Sequence, residues 1–355
     1  MTLAAVLRGE RGRAGARAVW VNAAILALCL AVSLGVLAGL SLAVGQSVAP
    51  VFAALGQGAV GSPQALASTV REAVPIALGG LAFLVPLRAG FFNIGGQGQL
   101  EIGALAGLLV ALHLPAPPGV AIPLAMLAAA LAGAAAAVPA LALKVSRGAS
   151  EVTTTIMLNF AIVEFVLAMV TGPLKDPAVF FSSTRAVPEA MRLPGGDIHL
   201  GVWLALVIAI AMFWVLRRTV FGFELEAVGG NAPAAAASGI RVTRVLVIAV
   251  LLAAAIAGVA GGIQALGVVH RVAEGWSKPW GFVGILAGLL GGNALGVVPA
   301  ALLLAMLETG GRHMQAMTGV PAALVYLLQS LPVILYLALR ATPFARRLTA
   351  EGARA

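Results

Sequence analysis

The residues best able to do chemistry in this chain lie in one glycine-dense stretch, Gly90-Phe-Phe-Asn-Ile-Gly-Gly-Gln-Gly-Gln-Leu-Glu-Ile-Gly103. It opens an apolar run, yet it carries Asn93, Gln97, Gln99 and Glu101. In a helix, Asn93, Gln97 and Glu101 stand at i, i+4 and i+8 and so share one face. Amides and acids are costly against lipid, so this stripe should turn to a bundle interior or a water-filled path. There these four residues could line a route and hydrogen-bond a hydroxyl-rich or heterocyclic solute. The competing role is adhesive, since hydrogen bonds between membrane helices average about 0.6 kcal/mol.

A second polar stripe runs through Glu151, Thr155 and Asn159, with Glu164 further along the same run. Asn159 is the deepest and joins the candidate path residues, whereas Thr153 to Thr155 suit bonds to carbonyls of the preceding turn. Glu308 beside Arg312 reads as an ion pair near the outer membrane interface. Other chemistries are excluded. None of the three lysines, Lys144, Lys175 and Lys278, closes a GxxxxGK[ST] loop, so the chain is not itself a P-loop ATPase. His113, His199, His270 and His313 show no paired-ligand spacing, and the single cysteine, Cys29, admits no disulfide or cysteine-rich metal site. No catalytic residues, metal site or cofactor are expected.

The elements that must position these stripes are membrane helices. Of 355 residues, 61% are hydrophobic and 10% charged, and the mean hydropathy is +1.04. That is too little polarity to coat a soluble domain of this size. In a bilayer, backbone groups must be paired within the protein, and barrel-type alternation is absent, so the fold class is an all-α polytopic membrane protein. Apolar runs near 21–44, 73–87, 93–113, 120–143, 152–171, 200–216, 245–268, 281–292, 295–310 and 319–339 predict about ten spans. The first is too long for a signal peptide and reads as a retained span.

The net charge of +9 reports topology and not nucleic acid, because the basic residues sit at the ends of apolar runs without interleaved aromatics. With the N-terminus inside, Arg8, Arg11, Arg13, Arg17, Arg88, Lys144, Arg147, Arg217, Arg218, Arg241, Arg244 and the C-terminal arginines fall in the cytoplasm. Arg71, Lys175, Arg185, Arg192, Arg271, Lys278 and Arg312 fall outside. This bias follows the positive-inside rule and puts both termini in the cytoplasm. The expected organisation is a basic tail over 1–19, a transmembrane domain over 20–340 and a cytoplasmic tail over 341–355. Within the domain, 172–199 forms an outer loop and 219–243 an inner loop with a short helix at the cytoplasmic face, where a motor would dock.

An echo links Gly90-Phe-Phe-Asn-Ile94 to Gly281-Phe-Val-Gly-Ile285, each opening a glycine-interrupted run in its own half. The second run is broken by Gly291, Gly292, Asn293, Gly296 and Pro299. Pseudo-repeated halves with discontinuous helices around a central site are the architecture this suggests.

Three segments, GFFNIGGQGQ from Gly90, EVTTTIMLN from Glu151 and FGFELEAVGGNAPAAAASGI from Phe221, resemble permeases of bacterial importers for nucleosides and simple sugars. These belong to the wider branched-chain amino acid and ribose-type permease group, and the resemblance runs from about Pro75 to the C-terminal span. It implies a bacterial inner-membrane dimer with a second permease, homologous or identical. It further implies a cytoplasmic ABC ATPase subunit that binds the ATP, and an extracytoplasmic solute-binding protein or lipoprotein. Membrane lipid is the remaining partner. By the same resemblance, 227–240 is the coupling helix, and Gly222, Ala227, Gly229, Asn231, Ala235, Ala236 and Gly239 serve ATPase coupling. The sequence departs from the family at Gln97, often Glu, and at Glu226, often Arg. A stand-alone proton-coupled carrier or channel is the alternative, and ATP dependence separates the two.

Overall fold

The structure, a computed structural model, describes residues 24–341. The N-terminal tail expected over 1–19 and the C-terminal tail beyond Ala341 lie outside the described residues. Thirteen α-helices occupy the described part: α1 (Ala24–Ala43), α2 (Val48–Val60), α3 (Pro63–Leu87), α4 (Gly96–His113), α5 (Pro118–Arg147), α6 (Glu151–Thr171), α7 (Leu200–Arg218), α8 (Val220–Gly230), α9 (Ala232–Ala237), α10 (Val242–Gln264), α11 (Trp280–Gly291), α12 (Val297–Thr318) and α13 (Ala322–Ala341). No β-strand forms among the described residues; one isolated bridge joins Ser183 to Ala273. Among the described residues, six helical segments are long and apolar enough to cross a membrane.

Each of the ten apolar runs coincides with a helix, and the fold is an all-α polytopic membrane protein. The apolar runs do not reveal α2, whose 13 residues are too short to span and follow a turn at Gly45 with φ of 78°. They also begin α3 ten residues late. The helix starts at Pro63, because Pro is tolerated in a first turn, and it absorbs Arg71 and Glu72.

The chain forms two compact units. In the smaller, 24–65 with 306–341, Leu37, Val51, Ala54, Leu307, Met314, Leu324, Val325 and Leu328 build one apolar core. Gln329 donates to Glu308, which also pairs with Arg312 at 3.5 Å, so the acid expected to pair with Arg312 does so.

The larger unit, 66–305, is organised by glycine contacts. A methyl group added at Gly103 would strike the backbone of Gly258, one at Gly133 the backbone of Ala254, and one at Gly261 the carbonyl of Leu100. The axes of α4, α5 and α10 therefore approach closely, as small residues permit between membrane helices. A second contact of this kind sets Gly79 and Gly80 of α3 against Gly284 and Gly288 of α11.

Two helices are discontinuous. After Gln264, α10 widens into a π-helical turn over Ala265–Val269, and residues 270–279 run irregularly to α11. That helix is 12 residues, about 18 Å at 1.5 Å per residue, which is short of a bilayer core. It stops at Gly292, in the left-handed region with φ of 64°, before α12 resumes. The outer loop is zipped onto the widened end of α10. Leu193 N–H bonds the Leu266 carbonyl at 3.0 Å, Val187 N–H that of His270 at 2.8 Å, and Thr184 N–H that of Val272 at 2.8 Å. These bonds satisfy carbonyls that the irregular stretch leaves without helical partners.

Candidate functional site

The two echoing segments meet. Gly281, at the start of α11, lies so close to the backbone of Gly96 and Gln97 that any side chain there would collide with it. Gly79 of α3 packs closely on the Trp280 carbonyl and the Gly284 backbone. Thus α4 starts level with Gly79, eight residues or about 12 Å short of the end of α3. Residues 90–95 reach that depth as irregular chain from a turn at Gly90, φ 81°. A half-helix beginning at such depth must have its first N–H groups paired by protein.

The second polar stripe supplies that pairing. Thr155 Oγ1 accepts Ile94 N–H at 3.2 Å, and Asn159 Oδ1 accepts Gly98 N–H. Thr155 also donates to the Glu151 carbonyl at 2.7 Å, the back-bonding expected of it. Ser150 caps α6, and Lys144 reaches Glu151 at 2.8 Å, which fixes the lower end of the stripe.

The first stripe is not a single face. Asn93 precedes α4, so its spacing to Gln97 is not helical. Its Oδ1 accepts Gly95 N–H at 3.1 Å in an Asx turn, and its amide exchanges bonds with Gln99 at 3.1 and 3.3 Å. The expectation of three residues on one helical face fails because the glycines hold 90–95 out of the helix. Gln97 and Glu101 do share a face. Gln97 Oε1 accepts Gly281 N–H at 2.8 Å, while its Nε2 lies 2.9 Å from the Lys278 carbonyl, 3.1 Å from Ser277 Oγ and 3.2 Å from Glu101 Oε1. Ser277 donates to Glu101 Oε1 at 2.5 Å. All five candidate path residues are buried, none more than 5% exposed.

Glu72 is a participant that the apolar runs conceal. From α3 it holds Lys278 Nζ at 2.6 Å with one oxygen and Trp280 Nε1 at 2.6 Å with the other. The Lys278 ammonium also sits 5.6 Å from the Trp280 ring centroid. A span that starts at 73 leaves Glu72 outside; extending the helix back to Pro63 brings both Arg71 and Glu72 into it. Beside Glu101, a cavity of about 200 Å³ opens between α6 and residues 273–277, with Val163, Val166, Val170, Trp276 and Ser277 on its walls.

At the other end, the inner loop forms two helices, not the continuous one expected over 227–240. The chain bends at Asn231 (φ −159°, ψ 94°), whose Oδ1 caps α9 by accepting Ala234 N–H at 3.1 Å, with Pro233 in the first turn. Thr219 caps α8 through Gly222 N–H at 3.3 Å. Of the residues assigned to coupling, Gly222 is buried where a side chain would strike the Leu216 carbonyl, and Ala235 is buried at 5% exposure. Ala227 is half-buried, whereas Gly229, Asn231, Ala236 and Gly239 are exposed, Gly239 at φ 87°. Gly229 packs on the Arg88 carbonyl, and Glu226 pairs with Arg88 at 2.5 Å. The acid at position 226 is therefore used within the chain. Arg88 Nη2 also lies 3.4 Å from the Gly292 carbonyl, joining α8 to the break after α11.

Arg71 pairs with Asp197 at 2.6 Å and Lys278 with Glu72 at 2.6 Å, while Arg88 pairs with Glu226 and Lys144 with Glu151.

Residues 65–337 match the family described as branched-chain amino acid transport system, permease component. The chain belongs to this family. It is similar to a glucose ABC transporter permease protein of Haloferax volcanii, 36% identical over 77% of this chain and 75% of that protein. A guanosine ABC transporter permease protein of Bacillus subtilis is 34% identical over 88% of this chain and 93% of its own length. A nucleoside ABC transporter permease protein of Lactococcus lactis is 30% identical over 75% and 77%. The protein is accordingly a multi-pass permease subunit of an ABC importer, not an enzyme. Hydrolysis of ATP belongs to a separate ATPase subunit, and such permeases work with a substrate-binding protein.

Proposed function

We propose that this permease carries a nucleoside or a simple sugar inward across a bacterial inner membrane, with both termini in the cytoplasm. The single observation that carries this reading is the buried half-helix node, where Gln97, Glu101 and Ser277 bring amide, carboxylate and hydroxyl groups together at bilayer depth. Hydrogen-bonding groups held there suit a hydroxyl-rich cargo, and the cargoes named for the relatives are of that kind. In this reading Glu101 meets the solute, and Asn93, Gln97, Gln99 and Asn159 hold the half-helix that presents it. Residues 20–340 form the transmembrane domain and 219–243 the coupling loop.

The partners are a cytoplasmic ABC ATPase, a second permease, homologous or identical, and an extracytoplasmic solute-binding protein or lipoprotein. The chain needs no cofactor, because ATP is bound by the ATPase. Closure of that subunit pulls on α8 and α9. The pull passes through Gly229 and Glu226 to Arg88, whose neighbours 90–95 carry the start of α4.

The test is uptake of labelled guanosine, ribose and glucose into vesicles bearing the assembled transporter, with and without ATP. ATP-dependent uptake of at least one, lost in Glu101→Ala, is expected. Uptake driven by a proton gradient without ATP would overturn the reading.

A further inference from the structure

Helix α6 carries an acid that the half-helix node does not use. The helix is apolar over 21 residues, yet Glu164 stands two-thirds of the way along it, roughly 10 Å from its C-terminal end at 1.5 Å per residue. Glu164 is exposed and makes no hydrogen bond or ion pair with any described residue. A carboxylate is too short to reach an interface from that depth, and lipid is a poor solvent for it in either protonation state. Phe160 and Ala168, one turn to either side, are exposed on the same face.

The neighbouring face of α6 borders the cavity beside Glu101. Val163, Val166 and Val170 form its apolar wall, and Trp276, Ser277 and Glu101 close it. One helical step of about 100° separates Val163 from Glu164, so the exposed acid stands on the face of α6 next to the cavity wall. At about 200 Å³ the cavity is on the scale of one sugar or nucleoside, with a carboxylate and a hydroxyl to bond its oxygens and an indole to cover an apolar or heterocyclic face.

We infer that the Glu164 face of α6, together with this cavity, is the water-facing wall of the solute path, and that it contacts the polyhydroxyl cargo during passage. The inference rests on the transport reading above and adds to it the position of the path and the role of Glu164. A lipid-facing α6 would leave Glu164 without solvation, whereas a water-facing one solvates it and makes the acid available to accept hydroxyl bonds.

Cysteine accessibility tests it, because Cys29 is the only native thiol and is buried. In the Cys29→Ser background, Glu164→Cys, Phe160→Cys and, as an apolar exposed control on α7, Val207→Cys are placed singly in the transporter assembled with its ATPase. Each is treated in vesicles with a membrane-impermeant cationic methanethiosulfonate, alone and with guanosine, ribose or glucose. Modification at 164 and 160 should be on the order of tenfold faster than at 207, as water contact predicts. The solute that the same vesicles take up should slow it. Reactivity no greater than at 207, or reactivity unaffected by a transported solute, overturns the inference. Phe160→Cys decides the matter if Glu164→Cys fails to insert. Uptake on the same vesicles separates the two readings: ATP-dependent uptake with an inert α6 face ends this inference alone, while failure to take up any of the solutes ends the transport reading.

Discussion

Gln97 Oε1 accepts the main-chain N–H of Gly281 at 2.8 Å, which ties the start of one interrupted helix to the start of another. The two residues are 184 positions apart. The bond also explains why position 281 is glycine, because the Gln97 backbone occupies the space of a side chain.

Gln97→Leu should therefore unseat the junction. It leaves the buried Gly281 N–H without an acceptor, at a cost of about 1–3 kcal/mol, while the Lys278 carbonyl keeps only the Trp280 N–H at 2.7 Å. The expected outcome is a lower unfolding temperature in detergent together with loss of uptake. Gln97→Glu keeps the acceptor and loses the donor, so it should fall between wild type and Gln97→Leu on both measures.

Glu72 gives a second prediction. Glu72→Gln can retain a bond to Trp280 Nε1 but gives up the charge that faces Lys278; Glu72→Ala gives up both. Thermal unfolding should rank wild type above Glu72→Gln and Glu72→Gln above Glu72→Ala. If Glu72→Ala unfolds at the wild-type temperature, the acid does not hold residues 277–281.

In α8, Gly229→Arg should leave the protein inserted but abolish uptake, since any side chain at 229 strikes the Arg88 carbonyl. Deletion across Ala234 to Gly239 should do the same by removing α9. ATPase activity of the assembled complex, measured beside uptake, should lose its dependence on the solute-binding protein. Normal uptake in either variant contradicts the coupling role of this loop.

The Arg88–Glu226 pair can be tested by exchange. Arg88→Glu alone sets two acids together and should reduce uptake, and Arg88→Glu with Glu226→Arg should restore most of it. The failure of the double variant to recover would place Arg88 in another role, such as its contact with the Gly292 carbonyl.

The helices are legible in the sequence because lipid imposes a strong rule: long apolar runs must be helical. The polar node is visible in composition but not in geometry. Spacing alone puts Asn93 on a helical face, whereas the glycines of 90–96 leave it in an Asx turn, and periodicity cannot register where a helix starts inside a membrane. Glu72 is invisible because its partners, Lys278 and Trp280, lie more than 200 positions away. The π-turn of α10 and its bonds to the outer loop are tertiary choices that no local pattern encodes.

Transport through the half-helix node is tested most directly by uptake of labelled guanosine, ribose and glucose into proteoliposomes that contain the permease with its ATPase and binding protein, comparing wild type with Glu101→Ala. Entry of at least one of these solutes should require ATP hydrolysis and be lost in the variant. Entry that proceeds without ATP, or ATP-dependent entry unchanged in Glu101→Ala, would refute transport through this node.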